Sequence, residues 1–336
     1  MIIGTRNTDE SPLIVAEIGN NHEGSMDNAI RLVRAAADCG VDAVKFQTYR
    51  TELFVCPADT ERYARMKSFE LQYPQFAELA ELAHSLGMLF ISTPLDLESA
   101  RFLDSIVDAF KIASGDNDFF PLIDETVRTG KPVIVSTGAS DPETVHRVVA
   151  YIRTTGKGES SRDIGLLHCV SCYPAPDDEV NLAAVRFLTE EFRGCTPGYS
   201  DHALGIEAAV ASVSWGAKIV EKHFTLDKNY SAFRDHQLSA DPAEMKEMVL
   251  RIRKVSLMAG RADKKIQDCE QAMNPLIRRS IAARSDLSAG HRLGPDDLMW
   301  IRPSSGMRPG TEQEILGKQL RHAIRRGDFF SAGDFG

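Results

Sequence analysis

The order of segments along the chain is the feature that most limits how it can fold. Over residues 1–260, short apolar and β-branched runs alternate with stretches of helical periodicity. Strands that are apolar on both faces indicate a parallel sheet with helices outside it. Eight such units favour a (β/α)8 TIM barrel, and an open doubly wound sheet stays an alternative because periodicity does not report closure. The predicted strands are 13–19, 42–48, 88–94, 109–115, 132–138, 164–170, 197–202 and 218–224.

The composition of the chain changes after the last predicted strand. A charged stretch near 243–273 predicts a helix, and the residues after it combine short strands, glycine turns and prolines. We therefore predict two domains, a barrel at 1–270 and a small β-rich domain at 275–336. Residues 154–163 are polar and predict a surface loop.

The charge balance and the apolar pattern exclude several classes of protein. Hydrophobic residues make up 43% of the 336 residues, and the net charge of −9 comes without any lysine-rich or arginine-rich run. A nucleic-acid binder needs a basic surface, so no nucleic-acid partner is predicted. The apolar runs have strand length, which predicts no membrane span, and the first residues do not resemble an export signal. A soluble, cytoplasmic protein is expected.

The cysteines are spread along the chain, and six of them without an export signal predict no disulfides. Cys169 and Cys172 have the C-x-x-C spacing of a metal or redox site, but no second pair accompanies them. We interpret both as packing residues, with metal or redox use as the alternative.

Polar side chains stand at the carboxyl ends of the predicted strands, where barrel enzymes place their active sites. Lys45 and Lys111 are cations suited to a phosphate and a neighbouring carboxylate. A single lysine at a strand end is usually a solvated charge, whereas structure alone does not require several converging cations. The hydroxyl groups expected around them belong to Thr93, Ser114, Ser136 and Ser200.

Two histidines and one glutamate extend this set. His202 and His223 stand at the ends of adjacent predicted strands and can hold a divalent metal with water completing the shell. A lone histidine in an apolar strand is more often a hydrogen-bonded core residue, so the argument depends on the pair. Glu17 precedes the Asn-Asn-His run at 20–22, which suits sugar hydroxyls but also leads into a helix capped by Ser25.

Motifs along the whole chain resemble one enzyme family. They are AEIGNNHEG, VKFQTY, ISTP, KIASGD, VSTGAS, LLHCVSCYPAP, GYSDHALG and VEKHFTLD, with RRSIAARSDLSAG and IRPSSGM in the tail. In order and content they resemble the N-acetylneuraminate (sialic acid) synthase family, which includes legionaminate, pseudaminate and spore-coat polysaccharide synthases. The tail resembles that family's C-terminal antifreeze-like (SAF) domain. The resemblance implies a TIM barrel followed by a SAF domain.

The resemblance also implies a reaction and a site. Phosphoenolpyruvate would condense with an N-acylated hexosamine, either N-acetylmannosamine or a related diacetamido-trideoxyhexose, and release phosphate. Glu17 and Asp235 correspond to groups at the reacting centre, and His202 and His223 to ligands of a divalent metal, Mn²⁺ first, with Co²⁺ or Mg²⁺ as alternatives. The implied phosphoenolpyruvate contacts are Lys45, Thr93, Lys111, Ser114, Ser136, Ser171 and Ser200. The implied acceptor-sugar contacts are Gln47, Asp116, Tyr173 and Arg302. Arg302 would come from the SAF domain of a neighbouring subunit, which implies a domain-swapped homodimer.

The chain departs from the family's pattern at three places. Ser171 stands where several members have asparagine, and its hydroxyl has a shorter reach. Asp116 stands where bacterial sialate synthases often have glutamate. Phe233 and Arg234 replace the first half of the family's GPDH motif, in a loop near the acceptor. The identity of the acceptor sugar is therefore left open.

Two other functions stay open at this stage. Another phosphoenolpyruvate-dependent synthase, making an ulosonic acid from a phosphorylated aldose, would need a second phosphate site, and the sequence shows no basic cluster beyond Lys45 and Lys111. A non-catalytic carbohydrate-binding protein is the second alternative. It does not explain why lysines, histidines and Glu17 converge on one barrel face.

Overall fold

A closed barrel of eight parallel strands forms the first part of the molecule. The computed structural model describes residues 1–157 and 164–336. Neighbouring strands follow the order of the chain, and the last strand pairs with the first, which confirms the predicted TIM barrel and excludes the open sheet. The strands are β1 Leu13–Gly19, β2 Ala43–Thr48, β3 Leu89–Pro94, β4 Ala109–Ile112, β5 Val133–Ser136, β6 Ile164–Cys169, β7 Thr196–Asp201 and β8 Ile219–His223.

Most helices of the first unit cover the outside of the barrel. The helices of this unit are α1 Met26–Cys39, α2 Thr51–Phe54, α3 Thr60–Phe69, α4 Tyr73–Ser85, α5 Leu97–Leu103, α6 Phe120–Val127, α7 Pro142–Thr155, α8 Ala183–Glu191, α9 Glu207–Ser212, α10 Arg234–Leu238 and α11 Pro242–Ala259. Residues of α2, α3 and α10 instead line a cavity at the carboxyl ends of the barrel strands. A short hairpin of Ile2–Ile3 and Arg6–Asn7 precedes the barrel. None of the helices in the described part of the chain has the length and apolar composition that a bilayer span requires.

Two apolar layers hold the barrel together. Alternate residues of each strand point to opposite faces, so one set fills the barrel and the other packs against the helices. Leu13, Val15, Ala43, Leu89, Ile91, Ala109, Ile134, Leu167 and Ile219 form the inner cluster. Because these inward positions are apolar near the start of each strand, the polar inward residues collect at the carboxyl end.

The seventh strand has the weakest sequence pattern, yet β7 is fully buried. Gly198 explains why a strand can run there. A Cβ atom at this position would lie 2.3 Å from Leu167 Cδ2 and 2.5 Å from the carbonyl oxygen of Ile219, so only glycine allows this approach between the strands.

The helix ends follow local sequence signals, with two differences from prediction. The Ser25 side chain accepts a hydrogen bond from the Asn28 amide and caps α1, which ends at Gly40 with φ +80°. The helix predicted near 243–273 is wrong beyond α11, which stops at Ala259. The loop expected at 154–163 begins two residues later than predicted because α7 extends through Thr155, and its residues 158–163 lie outside the described part of the chain.

The chain divides into two units, Met1–Gly260 and Arg261–Gly336, earlier than the boundary expected at 270–275. The second unit contains α12 Asn274–Ile277 and an antiparallel pair, β9 Ser280–Ala283 and β10 Leu298–Ile301. Its own apolar core consists of Ile281, Ala283, Leu287, Leu293, Leu298, Ile315, Leu320, Ile324, Phe330 and Phe335.

Candidate active site

A cavity of about 1050 Å³ opens at the carboxyl ends of the barrel strands. The predicted residues that line it are Glu17, Lys45, Gln47, Thr93, Lys111, Ser114, Asp116, Ser136, Tyr173, Ser200, His202, His223 and Asp235. Ser171 is not part of the lining, and Arg302 is an exposed residue of the second unit, directly after β10.

Lys45 and Glu17 form a buried ion pair in the cavity wall. Their strands place them opposite each other in register, and Lys45 Nζ lies 2.8 Å from Glu17 Oε2. Lys45 also donates to Thr93 Oγ1 at 3.3 Å. The Gln47 amide donates to Glu17 Oε1 at 3.3 Å and accepts from Asn20 at 2.8 Å. This network fixes the Glu17 carboxylate from both sides.

Glu221 is a residue that the sequence-based site did not include. Its Oε1 atom lies 3.5 Å from Lys45 Nζ and 3.7 Å from Lys111 Nζ, and it accepts a hydrogen bond from Ser200 Oγ at 2.9 Å. Lys111 in turn donates to Ser136 Oγ at 2.6 Å. Glu221 therefore connects both lysines in one buried network.

Burial and nearby charges shift the pKa values of Glu17 and Glu221 in opposite directions. Burial, reinforced by the charge of Glu221, raises the pKa of Glu17 above its ordinary value against the opposing effect of Lys45. Burial also acts to raise the pKa of Glu221, but Lys111 and Lys45 outweigh it and lower that pKa to about 2. Two carboxyl groups with separated pKa values can take different roles in proton transfer.

Both lysine ammonium groups are desolvated. Burial lowers the pKa of Lys111, and the nearby Lys45 charge adds to the effect. At Lys45, burial also acts to lower the pKa, but Glu17 and Glu221 outweigh it and raise that pKa. Two cations beside several hydroxyl groups are suited to an anion that carries a phosphate and a carboxylate.

Gly138 lets two serines approach the backbone next to this network. Its N–H donates to Ser114 Oγ at 3.1 Å. A Cβ atom at Gly138 would lie 2.4 Å from Ser171 Oγ and 2.6 Å from Ser114 Oγ, so a side chain would displace both hydroxyls. Ser171 thus lies close to Ser114 although it does not line the cavity.

His202 and His223 face each other across the end of the barrel, with ring centroids 5.5 Å apart. His202 Nδ1 lies 2.7 Å from the Val170 carbonyl oxygen, so this nitrogen carries the proton and Nε2 keeps its lone pair. Burial, with a smaller effect of the neighbouring His223, lowers the pKa of His202 to about 4. His223 Nδ1 is buried without a hydrogen-bond partner.

The donor set fits a divalent metal ion in an open site. Two neutral imidazoles, one of them oriented by a carbonyl and the other with an unpartnered nitrogen, are the ligands that such an ion requires. Among the described residues no group of three or more histidine, cysteine or acidic side chains could hold an ion. Water and substrate atoms would therefore have to complete the coordination shell.

Two further acidic residues of the predicted site line the cavity, Asp235 as a predicted catalytic group and Asp116 as a predicted acceptor-sugar contact. Asp235 lies in the first turn of α10, and its Oδ1 atom is buried without a hydrogen-bond partner, although Arg234 Nε lies 3.4 Å away. Asp116 closes the turn that follows β4, and burial, aided by the charge of Asp118, raises its pKa. The turn ends β4 at Ile112, three residues before the predicted end of the strand.

An apolar wall forms one side of the cavity mouth. Phe69 of α3 and Phe233, just before α10, pack edge to face with ring centroids 5.2 Å apart. The remaining residues of this apolar wall are Phe54, Met66 and Leu95. α3 was not predicted, because the residues after β2 carry no signal that they fold back over the barrel.

Three arginines also line the cavity, so the expectation of no basic cluster beyond the two lysines is wrong. Arg62 and Arg65 come from α3, and Arg234 from α10. The Arg234 guanidinium lies 4.6 Å from the centroid of the Tyr173 ring, which in turn packs on His202. The fold brings these arginines together from separate segments, so no run of basic residues in the sequence predicts the cluster.

The polar loop that follows β1, residues 20–24, both supports the fold and lines part of the cavity. Asn21 donates to the Phe224 carbonyl and to Ser239, and His22 Nδ1 accepts from the Gly24 amide. Asn21 and His22 therefore build the entry to α1, whereas Asn20 and Glu23 line the cavity.

Cys169 and Cys172 contact different parts of the protein. Cys169 is buried, and its Sγ atom lies 3.4 Å from Ser114 Oγ. Cys172 is exposed and donates to the Pro174 carbonyl. Burial fits the interpretation of Cys169 as a packing residue, although Cys169 also lines the cavity. The exposure of Cys172 contradicts the same interpretation for that residue.

The chain is similar to sialic acid synthases and related enzymes over its whole length. Residues 32–264 match the NeuB family, and residues 278–336 match the SAF domain. The N,N'-diacetyllegionaminic acid synthase of Legionella pneumophila is 37% identical over 97% of this chain and 95% of its own length. The pseudaminic acid synthase of Campylobacter jejuni is 34% identical over the full length of both chains. The crystal structure of the sialic acid synthetase of Leptospira borgpetersenii, solved with citrate, superposes with a TM-score of 0.76 at 31% identity, over 81% of this chain and 94% of that one.

Proposed function

The chain belongs to the NeuB family of sialic and related nonulosonic acid synthases, and on this premise we propose that it condenses phosphoenolpyruvate with an N-acylated amino sugar and releases phosphate. The observation that carries the proposal is the pair of buried ammonium groups, Lys45 and Lys111, in a cavity that also contains two neutral imidazoles. Phosphoenolpyruvate presents a phosphate and a carboxylate, and charge-assisted hydrogen bonds to such groups are the strong ones.

The chain's own residues would first bind and orient the two substrates. Lys45, Lys111 and the serine and threonine hydroxyls hold phosphoenolpyruvate with its C3 atom toward the aldehyde carbon of the open-chain sugar. A carbon–carbon bond forms between these atoms, water adds to C2, and the C2–O bond to phosphate breaks. Holding two reactants in this way can remove roughly 7–11 kcal/mol from the barrier when alignment is good.

Glu17 is the first candidate for proton transfer. Its raised pKa and its fixed position beside Lys45 support a carboxyl group that takes and returns a proton during the addition of water. Asp235 is the second candidate, because its Oδ1 atom is buried at the cavity without a hydrogen-bond partner.

His202 and His223 would hold the divalent ion, with Mn²⁺ as the first candidate and Co²⁺ or Mg²⁺ as alternatives. When bound there, the ion supplies Lewis-acid polarisation of the sugar's carbonyl oxygen. The Val170 carbonyl keeps the proton of His202 on Nδ1, so Nε2 is available as a ligand.

The apolar wall favours an acceptor sugar that ends in a methyl group and lacks the hydroxyl group there. Phe69 and Phe233 offer a hydrocarbon surface that suits a methyl group better than a hydroxymethyl group. A diacetamido-trideoxyhexose is therefore favoured over N-acetylmannosamine. The arginines at the cavity mouth, Arg62 and Arg65, support a second candidate function, in which the acceptor is a phosphorylated aldose.

Arg302 is proposed to reach the acceptor's N-acyl group from the SAF domain of a second subunit in a homodimer. Support comes from the resemblance of the IRPSSGM segment to the corresponding family motif. Mixing a Glu17→Gln variant with an Arg302→Ala variant tests this, because a swapped heterodimer would contain one complete site. If activity is recovered in the mixture, the domain-swapped arrangement is supported. If the mixture stays inactive after subunit exchange, this arrangement is excluded.

Phosphate release from phosphoenolpyruvate with Mn²⁺ tests the function directly. The acceptors are N-acetylmannosamine, the two diacetamido-trideoxyhexoses of manno and altro configuration, and arabinose 5-phosphate. Release with an N-acylated sugar that stops with EDTA and in a His202→Ala variant is the expected result. Release only with the phosphorylated sugar moves the protein to the second candidate function, and no release with any acceptor from folded, metal-loaded protein contradicts both.

A further inference from the structure

A second buried ion pair lies directly beside the two histidines but outside the cavity lining. Lys222 Nζ lies 2.9 Å from Asp201 Oδ2, and the two side chains are 1% and 0% exposed. Asp201 immediately precedes His202, and Lys222 immediately precedes His223. The two residues are also paired in register between β7 and β8.

The hydrogen bonds of this pair converge on the residue after His202. Lys222 Nζ donates to the Ala203 carbonyl at 2.6 Å, and Asp201 Oδ1 accepts from the Ala203 amide at 2.9 Å. Tyr199 OH donates to the same carboxylate oxygen at 3.0 Å. The backbone next to His202 is thus held by hydrogen bonds at both the amide and the carbonyl group of Ala203.

The same strand ends are held together on the histidine side as well. The Ala175 amide donates to the His202 carbonyl at 3.0 Å. Since His223 follows Lys222 on β8, the contacts of one ammonium group fix the backbone on which both imidazoles stand. These bonds restrain the separation of the two backbone segments from which the rings project.

Stability alone is a weak reason for such a pair. Removing two charges from water costs free energy that their attraction often does not recover, and apolar replacements of buried pairs are frequently neutral or stabilising. A buried, fully bonded pair next to two candidate ligands instead resembles the outer contacts that orient metal-binding side chains.

We infer that Asp201 and Lys222 are positioning residues, which hold His202 and His223 at the separation that a shared divalent ion requires. The inference rests on the proposed function, since it takes the two histidines as metal ligands. It predicts that the pair affects metal affinity more than it affects folding or binding of phosphoenolpyruvate.

The decisive variant is the double substitution Asp201→Asn with Lys222→Met, which removes both charges at nearly constant volume. Mn²⁺ affinity is measured by electron paramagnetic resonance of the free ion, thermal stability by melting temperature, and phosphoenolpyruvate affinity by calorimetry on metal-free protein. We expect the double variant to bind Mn²⁺ about 10–100-fold more weakly. Its melting temperature should equal or exceed that of the wild type, and its phosphoenolpyruvate affinity should stay within about twofold of it.

Tyr199→Phe gives a second, milder test should the double variant not fold. It removes only the hydrogen bond to Asp201 Oδ1, and we expect Mn²⁺ binding several-fold weaker than in the wild type. Asp42→Asn is the matched control. Asp42 is a buried partner of Arg253 at the opposite end of the barrel strands, so this change should lower the melting temperature and leave Mn²⁺ affinity unchanged.

The outcomes separate this inference from the proposed function. Wild-type affinity for Mn²⁺ in both the double variant and Tyr199→Phe, with His202→Ala still abolishing binding, overturns the positioning role and leaves the metal site standing. Loss of phosphoenolpyruvate affinity in parallel with metal affinity also overturns it, because a general structural defect then explains the change. Wild-type protein that shows no His202-dependent Mn²⁺ binding overturns the inference together with the metal site.

Discussion

Lys45 Nζ lies 2.8 Å from Glu17 Oε2, and the two side chains are 5% and 2% exposed. The register between β1 and β2 places these residues opposite each other. Burial would favour the uncharged form of each, so the pair persists because each charge compensates the other. Both residues line the cavity, so the carboxylate and the ammonium group are within reach of a bound ligand, which makes Glu17 the residue to test first.

Glu17→Gln should lower the rate of phosphate release about 10²–10⁴-fold, because the amide keeps the shape of the side chain but cannot transfer a proton. The measurement is kcat with saturating phosphoenolpyruvate and acceptor. Glu70→Gln serves as the control, since Glu70 is also a buried carboxylate paired with a cation, Arg50, but does not line the cavity. A Glu17→Gln variant that keeps kcat within about threefold of the wild type would assign proton transfer to another group.

Lys111→Met should weaken binding of phosphoenolpyruvate about 10–150-fold, which corresponds to the loss of one hydrogen bond to a charged group. Lys111 already donates to Ser136 Oγ and faces Glu221, so its ammonium group is held in place for an anion. Calorimetry with phosphoenolpyruvate gives the affinity directly. Lys131→Met is the control, because Lys131 lies just before β5, at the other end of the barrel, and donates to the carbonyls of Asp104 and Val107. Equal affinities in the two variants would exclude Lys111 from the anion site.

Gly138→Ala should reduce phosphoenolpyruvate affinity by at least about tenfold, because the added methyl group would displace the Ser114 and Ser171 hydroxyls. Kinetic measurement of KM for phosphoenolpyruvate tests this. The matched control is Gly333→Ala, where the nearest atom to an added Cβ is 3.9 Å away. If Gly138→Ala leaves KM unchanged, the two serines do not contribute to binding in their present positions.

The barrel could be predicted because each strand carries its own signal. Leu13 and Val15 alternate with outward-facing apolar residues in the same strand, and this pattern repeats in the other strands, so the sequence alone indicates a sheet buried on both faces. Even the weak β7 followed from its place in the alternation. Closure of the sheet could not be predicted, because it depends on contact between β8 and β1, at opposite ends of the unit.

The candidate site was predictable where a side chain stands on a strand. Glu221 shares the inward face of β8 with Ile219 and His223, and this spacing of two residues already puts it among the polar residues at the strand ends, although no role for it followed from the sequence. The apolar wall could not, since Phe69 and Phe233 meet only after α3 folds across the cavity mouth. Ser171 was placed on the site by resemblance alone, and the shape of its loop brings it behind Gly138 instead of into the lining.

Phe233→Ala should lower the preference for a deoxygenated acceptor over N-acetylmannosamine by about tenfold, the effect of losing apolar contact with one methyl group. The ratio of kcat/KM for the two acceptors measures this preference and is insensitive to a general loss of activity. Phe187→Ala controls for removal of a partly exposed phenylalanine, because Phe187 lies on α8 and does not line the cavity. An unchanged ratio in Phe233→Ala would show that the apolar wall does not select the acceptor.

The buried His22 should make stability fall as the pH is lowered from about 6.5 to about 4. Burial lowers the pKa of His22 from 6.5 to about 4, so over this range the unfolded chain binds a proton that the folded chain does not. The difference corresponds to roughly 3 kcal/mol of unfolding free energy, lost as the pH falls and fully present above about pH 6.5. His22→Asn should flatten this dependence, since its side-chain oxygen can still accept the Gly24 hydrogen bond. Urea unfolding of metal-free protein between pH 4.5 and 7 is the measurement, with the surface variant His146→Asn as control, and equal slopes in wild type and His22→Asn would contradict the assignment.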